Sequence, residues 1–174
     1  MVSFISNTNT NHNAILIDLM NRSDEMIIAV GFLKYSGFEL IREDLKLFCG
    51  SKNKKVTFYI GLGFGETEPL ALKDLYNIIC KNPQNRLFLC VPDAGIFHPK
   101  VYVFRTGEEL TIITGSANLT ANGWKVNDEV SIMFDTTIES DEYKQLMSYF
   151  SQLEQKYASK DIEKLYRKIF QRKE

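Results

Sequence analysis

His98 and Lys100 stand two residues apart in a stretch, 97–118, that reads FHPKVYVFRTGEELTIITGSAN. On an extended chain residues i and i+2 face the same way, so an imidazole and an ammonium lie side by side. Val101, Tyr102, Val103 and Phe104 make the run β-rich, a polar turn follows at 105–109, and 110–114 reads as a second strand. That strand ends in Gly115-Ser116-Ala117-Asn118. If the two strands pair as a hairpin, Ser116 and Asn118 return to the level of His98 and Lys100. The four side chains then offer a nucleophile or proton shuttle, a cation and two neutral hydrogen-bonding groups. That set suits a phosphate ester handled without a metal.

His98-Pro99-Lys100 followed by Gly115-Ser116-Ala117-Asn118 resembles the signature of the phospholipase D-like superfamily, His-x-Lys and then Gly-Ser-x-Asn. The trailing Leu119-Thr120-Ala121-Asn122-Gly123 and Asn127-Asp128-Glu129 resemble the branch that includes metal-independent restriction endonucleases. The superfamily commonly carries an aspartate five residues after the lysine, thought to support the histidine. Here that place holds Arg105. By resemblance Glu129 is the substitute carboxylate, with Asp128 as the weaker candidate.

The resemblance implies a phospholipase D-like α/β fold, with a mixed central β-sheet flanked by helices on both faces. It implies a metal-independent, cofactor-free phosphodiesterase: an endonuclease that cleaves DNA through a phosphohistidine, as the nuclease component of a restriction or defence system. Family chemistry uses two such histidines in one site, one attacking phosphorus and the other protonating the leaving oxygen. This chain carries one copy of the motif, so the expectation is a homodimer with His98 and the partner's His98 facing each other across a two-fold axis. Lys100 then offsets charge on the phosphoryl oxygens, Asn118 donates to them with Ser116 in support, and Glu129 orients the imidazole. Sequence recognition is expected from a separate domain or subunit. The competing readings are a nucleic-acid or partner-binding module without turnover and, more distantly, a lipid phosphodiesterase.

Several other residues have two readings. Arg105 is either a phosphate contact at the rim of the site or a solvated turn residue, and the turn is favoured. Trp124 is either a base-stacking aromatic or part of the core, and the core is favoured. Thr120 belongs to the trailing motif as a weak substrate contact. His12, in SNTNTNHNA, reads as a solvated loop or helix-cap residue.

Strands and helices alternate around the motif. Apolar spacing predicts helices over 13–21, 38–48 and 69–80 and a long helix capped by Ser140 or Asp141. A further helical segment is expected over 161–170. Apolar runs predict strands at 26–30, 56–60, 87–91 and 130–134. Gly61-Leu62-Gly63-Phe64-Gly65 lacks the lysine of a phosphate-binding loop and reads as a strand-to-helix connection. Residues 1–13 are polar and Asn-rich, with no signal-peptide pattern.

The chain has 174 residues, 44% hydrophobic and 25% charged, which suits one domain with its own core, 1–174, with a helical C-terminal segment from about 140. A formal net charge of −1 excludes a generally basic protein, so contact with DNA must rest on local charge. From Glu154 onward seven basic residues stand against four acidic ones, which reads as an exposed helix face. No run approaches a membrane span. Cys49, Cys80 and Cys90 have no metal-ligand spacing and read as free buried thiols in a reducing cytoplasm.

Overall fold

A computed structural model describes residues 2–157 of the chain. The elements run β1 (Val2–Ser6), α1 (His12–Arg22), β2 (Glu25–Val30), α2 (Tyr35–Gly50), β3 (Lys55–Gly61), α3 (Pro69–Ile79), β4 (Arg86–Cys90), β5 (Lys100–Thr106), β6 (Glu109–Gly115), α4 (Ala121–Lys125), β7 (Val130–Thr137) and α5 (Asp141–Tyr157). The strands form one sheet in the order β1-β7-β6-β5-β2-β3-β4. β2, β3 and β4 are parallel, and all other pairings are antiparallel. This is the mixed sheet that the sequence predicts.

Alternation along β2 explains why helices cover both faces. Met26, Ile28 and Val30 join the core under α1, α2, α3 and α4. Ile27 and Ala29 face the other way, into a smaller core with Phe150, Leu153 and Tyr157 of α5. A central strand buried on both sides must be apolar throughout, and MIIAV is. Each fully buried Leu, Ile or Phe contributes about 1.5–3 kcal/mol relative to exposure. Phe38, Ile41 and Leu45 of α2, all at 0% exposure, are among the strongest such contributions.

The register brings every motif residue to one end of the sheet. β2 ends where β5 begins, with Val30 opposite Lys100. Val101 lies opposite Thr114, and Gly115, at the end of β6, lies opposite Ser131 near the start of β7. The two motif strands therefore form the predicted hairpin, and β7 lies against its outer side.

Two expectations need correction, the start of α2 and the burial of Cys80, and two elements, β1 and α4, were not anticipated. The N-terminal stretch contains β1, which pairs antiparallel with β7, Ile5 opposite Ser131. Ile5 faces the core, while Val2 and Phe4 alternate onto the exposed face. α2 starts at Tyr35 rather than Phe38, because the Glu68 carboxylate accepts a hydrogen bond from the Tyr35 N–H at 2.6 Å. α4 is a single capped turn that carries too few residues for a periodic pattern. Cys80 is exposed at the end of α3, whereas Cys49 and Cys90 are buried, and burial pushes the Cys49 thiol up to about 11. The 161–170 helix and most of the basic C-terminal stretch lie outside the described residues. The glycine-rich run at 61–65 is a tight turn between β3 and α3, as expected.

Candidate active site

Lys100 opens β5 on the same face as Tyr102 and Phe104, at the end of the sheet where β2 finishes. It is 8% exposed. His98 precedes the strand by two residues and is exposed. The Lys100 Nζ stands 2.8 Å from both ring nitrogens of His98 and donates to the His98 carbonyl at 3.0 Å. Phe32, which follows β2, backs both groups. Its ring centroid is 5.0 Å from the imidazole and 5.9 Å from the ammonium. An ammonium has only donors, so it satisfies a ring nitrogen that carries no proton. The arrangement favours a neutral imidazole.

The electrostatics agree. Loss of water around the ring, and then the Lys100 charge, hold the His98 pKa below its ordinary value. Burial lowers the Lys100 pKa as well, while the negative charge of Glu129 opposes that shift. The imidazole therefore stays unprotonated to lower pH than a free histidine, as a nucleophile requires.

Asn118 is half-buried beyond the end of β6. Its Oδ1 accepts the Phe32 N–H at 3.1 Å. That bond fixes the amide orientation, with oxygen toward the backbone and the NH2 group available as a donor. Ser116 has a different task. Its N–H donates to the Val130 carbonyl at 3.1 Å, and its Oγ accepts the Val130 N–H at 3.1 Å. The hydroxyl thus joins the end of β6 to the start of β7.

Glycine is required at two places in this frame. A Cβ at Gly115 would meet the Val130 carbonyl at 2.3 Å and the Ser131 Oγ at 2.4 Å. A Cβ at Gly31 would meet the His98 Cδ2 at 2.6 Å. Gly31 also donates to the Pro99 carbonyl at 2.9 Å, so it packs directly against the motif. Gly31→Ala is expected to push the imidazole aside and lower kcat by roughly 10- to 100-fold. Turnover of bis(p-nitrophenyl) phosphate beside a thermal melt checks this, and a loss of rate that merely follows a loss of folded protein would contradict it.

Glu129 lies immediately before β7 and accepts from Asn127 Nδ2 at 3.3 Å. Its charge acts on Lys100 and His12, while the group that acts on His98 is Lys100. The charge of Glu129 thus bears on Lys100 rather than directly on His98. Asp128 is exposed beside it.

The other candidates are placed elsewhere. Arg105 lies near the far end of β5, five residues from Lys100, or roughly 16 Å along an extended strand. It pairs with Glu25 at 3.3 Å and donates to the Gly107 carbonyl at 2.7 Å. It is a strand residue rather than a solvated turn or a rim contact. A carboxylate at position 105 could not reach His98 either, so the departure there does not weaken the site. Trp124 is 1% exposed, and its indole N–H donates to the Tyr102 hydroxyl at 3.2 Å. It belongs to the core and has no face for a base. The Thr120 Oγ1 accepts the Gly123 N–H at 2.8 Å and caps α4.

His12 is the largest miss of the sequence reading. It is the first residue of α1 and 0% exposed, neither solvated nor in a loop. The cap of α1 is Asn11, which accepts the Ala14 N–H at 3.0 Å. Both ring nitrogens of His12 have partners, Asn7 Oδ1 at 2.7 Å and Ser131 Oγ at 2.9 Å. Nothing in the local sequence signals these partners.

Comparison with known proteins gives a consistent picture. Residues 9–167 match the family described as the NgoFVII restriction endonuclease N-terminal PLD domain. No curated protein matches. Among solved structures the chain is similar to NucT from Helicobacter pylori, with 17% identity, a TM-score of 0.63 and coverage of 88% of this chain and 94% of that one. It is similar to Nuc, a phospholipase D family member from Salmonella typhimurium, with 16% identity, a TM-score of 0.60 and coverage of 89% and 92%. It is also similar to yeast tyrosyl-DNA phosphodiesterase, with 16% identity and a TM-score of 0.54, over 95% of this chain and 40% of that one. At these identities the structures establish the shared fold.

Proposed function

The chain belongs to the family of the NgoFVII restriction endonuclease N-terminal PLD domain, and from that membership we propose that it is a metal-independent phosphodiesterase that cleaves DNA in a restriction or defence system. The observation that carries this reading is the Lys100 ammonium 2.8 Å from both ring nitrogens of an exposed imidazole. A cation in that place keeps the ring neutral and lies ready for the charge of a phosphoryl group that the ring attacks. It also makes the site electropositive before substrate arrives, which favours an anionic phosphodiester over a bound metal cation.

Two histidines are needed, and this chain has one to offer. It contains two in all, and His12 is buried with both nitrogens engaged. The second catalytic imidazole therefore comes from another copy. In the composite site His98 attacks phosphorus, the P–O bond to the leaving group breaks, and the partner's His98 gives its proton to the leaving oxygen. The partner's His98 then takes a proton from water. That water attacks the phosphohistidine, the P–N bond breaks, and His98 returns neutral. Lys100 and the Asn118 NH2 group bind the non-bridging oxygens through both steps. Ser116 keeps β6 on β7 so that Asn118 stays in place, and Glu129 holds Lys100 charged.

Three cysteines without a disulfide, Cys80 exposed among them, support a reducing cytoplasm. Among the described residues no helix is long and apolar enough to cross a membrane. The family is described by an N-terminal domain of a restriction endonuclease, which supports recognition by another domain or subunit.

The test is cleavage of plasmid DNA and of bis(p-nitrophenyl) phosphate in excess EDTA. Rates unchanged by EDTA are expected on both. Activity that EDTA removes and a divalent metal restores would overturn the metal-independent mechanism. DNA cut while the small diester is not would move the binding energy to contacts outside the motif.

A further inference from the structure

We infer that His12 is a positioning residue for this site, holding the Asn127–Glu129 turn and the Ser116 end of β6 in register through Asn7 and Ser131. The inference rests on the phosphodiesterase reading above and adds to it a residue that never touches substrate.

Two hydrogen-bonded arms leave the ring. The Asn7 amide oxygen is an acceptor, so the His12 Nδ1 carries the proton and donates to it at 2.7 Å. The same oxygen takes the His12 backbone N–H at 3.2 Å. Asn7 Nδ2 donates to the Gly123 carbonyl and to the Asn127 carbonyl, both at 2.9 Å. Asn127 in turn donates to the Glu129 carboxylate at 3.3 Å. This arm ends on the group whose charge acts on Lys100.

The second arm is shorter. With Nδ1 protonated, Nε2 is an acceptor and takes the Ser131 hydroxyl at 2.9 Å. Ser131 lies opposite Gly115 in the β6–β7 register. Its neighbour Val130 exchanges hydrogen bonds with Ser116. One buried imidazole thus reaches both flanks of the motif, the serine of Gly-Ser-x-Asn and the trailing glutamate.

Stability alone does not account for these groups. An imidazole and a hydroxyl buried together gain little over apolar side chains that fill the same space. What such a network supplies is a single geometry, because each member satisfies its partner only in one arrangement. The local fold agrees with that purpose. β1 and the turn after it deliver Asn7, and α1 starts at His12.

The experiment compares wild type with His12→Leu, His12→Asn and His12→Gln. Asparagine keeps a donor for Asn7, and glutamine keeps an acceptor for Ser131. Four quantities are read: kcat and KM on bis(p-nitrophenyl) phosphate, the melting temperature, and the carbon-13 resonance of the His98 ring. The chain has two histidines, so in each variant His98 gives the single histidine signal. His12→Leu is expected to lower kcat roughly 10- to 100-fold with KM within about two-fold. Asparagine and glutamine should recover part of that loss, and the His98 resonance should move in the leucine variant. Folded variants with wild-type kcat and an unmoved His98 resonance would overturn the proposal. So would equal losses in all three that follow the melting temperature. If the leucine variant fails to fold, the asparagine and glutamine variants decide by the same readings. If wild type turns over neither DNA nor the diester, the phosphodiesterase reading falls, and the His98 resonance alone decides the positioning role.

Discussion

Replacing His98 with alanine is expected to lower turnover of bis(p-nitrophenyl) phosphate and of plasmid DNA by at least about four orders of magnitude, the scale seen when a covalent nucleophile is removed. The loss should fall on kcat, with the protein still folded. His98 is exposed and makes no core contact that alanine would leave as a cavity, so stability should change little. In the composite site the substitution removes nucleophile and proton donor together, since each copy supplies one of them. Wild type quenched in base during turnover of a labelled diester should retain label on the protein, and His98→Ala should not. Residual activity within ten-fold of wild type would remove His98 from the mechanism.

The same variant tests the two-fold arrangement. Mix equal amounts of wild type and His98→Ala and allow subunits to exchange. If one site needs two copies of His98, about one quarter of the dimers are competent, and activity should fall to about a quarter of the same total of wild type. Subunits that act alone would give about one half. Light scattering on the mixture must show the dimer. A monomer that turns over at the full rate would contradict the composite site whatever the mixing ratio.

How much of this could be read from the chain depends on how far apart the partners lie. His98 and Lys100 were legible because they stand two residues apart, where β5 begins, and need no distant partner to meet. Ser116 and Asn118 needed one further step, the hairpin, which the turn residues between the two β-rich runs supply. Tasks set by distant partners were not legible. β1 exists because β7 gives it an edge to pair with, and β7 lies at the opposite end of the chain. His12 sits among asparagines that suggest a solvated turn, and only Ser131 and Asn7 in three dimensions make it a core residue. Ser116 was expected to support Asn118, and its hydrogen bonds with Val130, distant in sequence, tie the end of β6 to β7. Arg105 was expected in the turn and stands in β5 instead, while Trp124 lies in the core, as favoured. Each lies close to the motif in sequence, while the strand carries Arg105 to Glu25 and the one-turn helix turns Trp124 onto Tyr102.

Lys100 carries the second large effect. Lys100→Ala is expected to lower kcat by about three orders of magnitude, as removal of a group that stabilises transition-state charge does. KM should rise far less than kcat falls, because the diester binds with one negative charge and further charge builds on the phosphoryl oxygens only as His98 attacks. A loss confined to KM would sink this role. The pH profile separates charge from shape. In wild type burial and then Lys100 hold the His98 pKa below its ordinary value, so the acid limb of kcat/KM lies below about 6.5. Removing the ammonium removes one of the two causes. The His98 pKa then rises, more imidazole is protonated at a given pH, and the limb moves to higher pH without regaining the whole shift, since burial remains. Lys100→Arg keeps the positive charge in a planar, bulkier form. It should keep the limb near its wild-type place while restoring only part of the rate. The ammonium stands within 3.0 Å of both imidazole nitrogens and of the His98 carbonyl, a fit that a guanidinium cannot reproduce. If arginine restored rate and limb together, charge alone would suffice; if alanine left the limb unmoved, Lys100 would not be what keeps the nucleophile neutral.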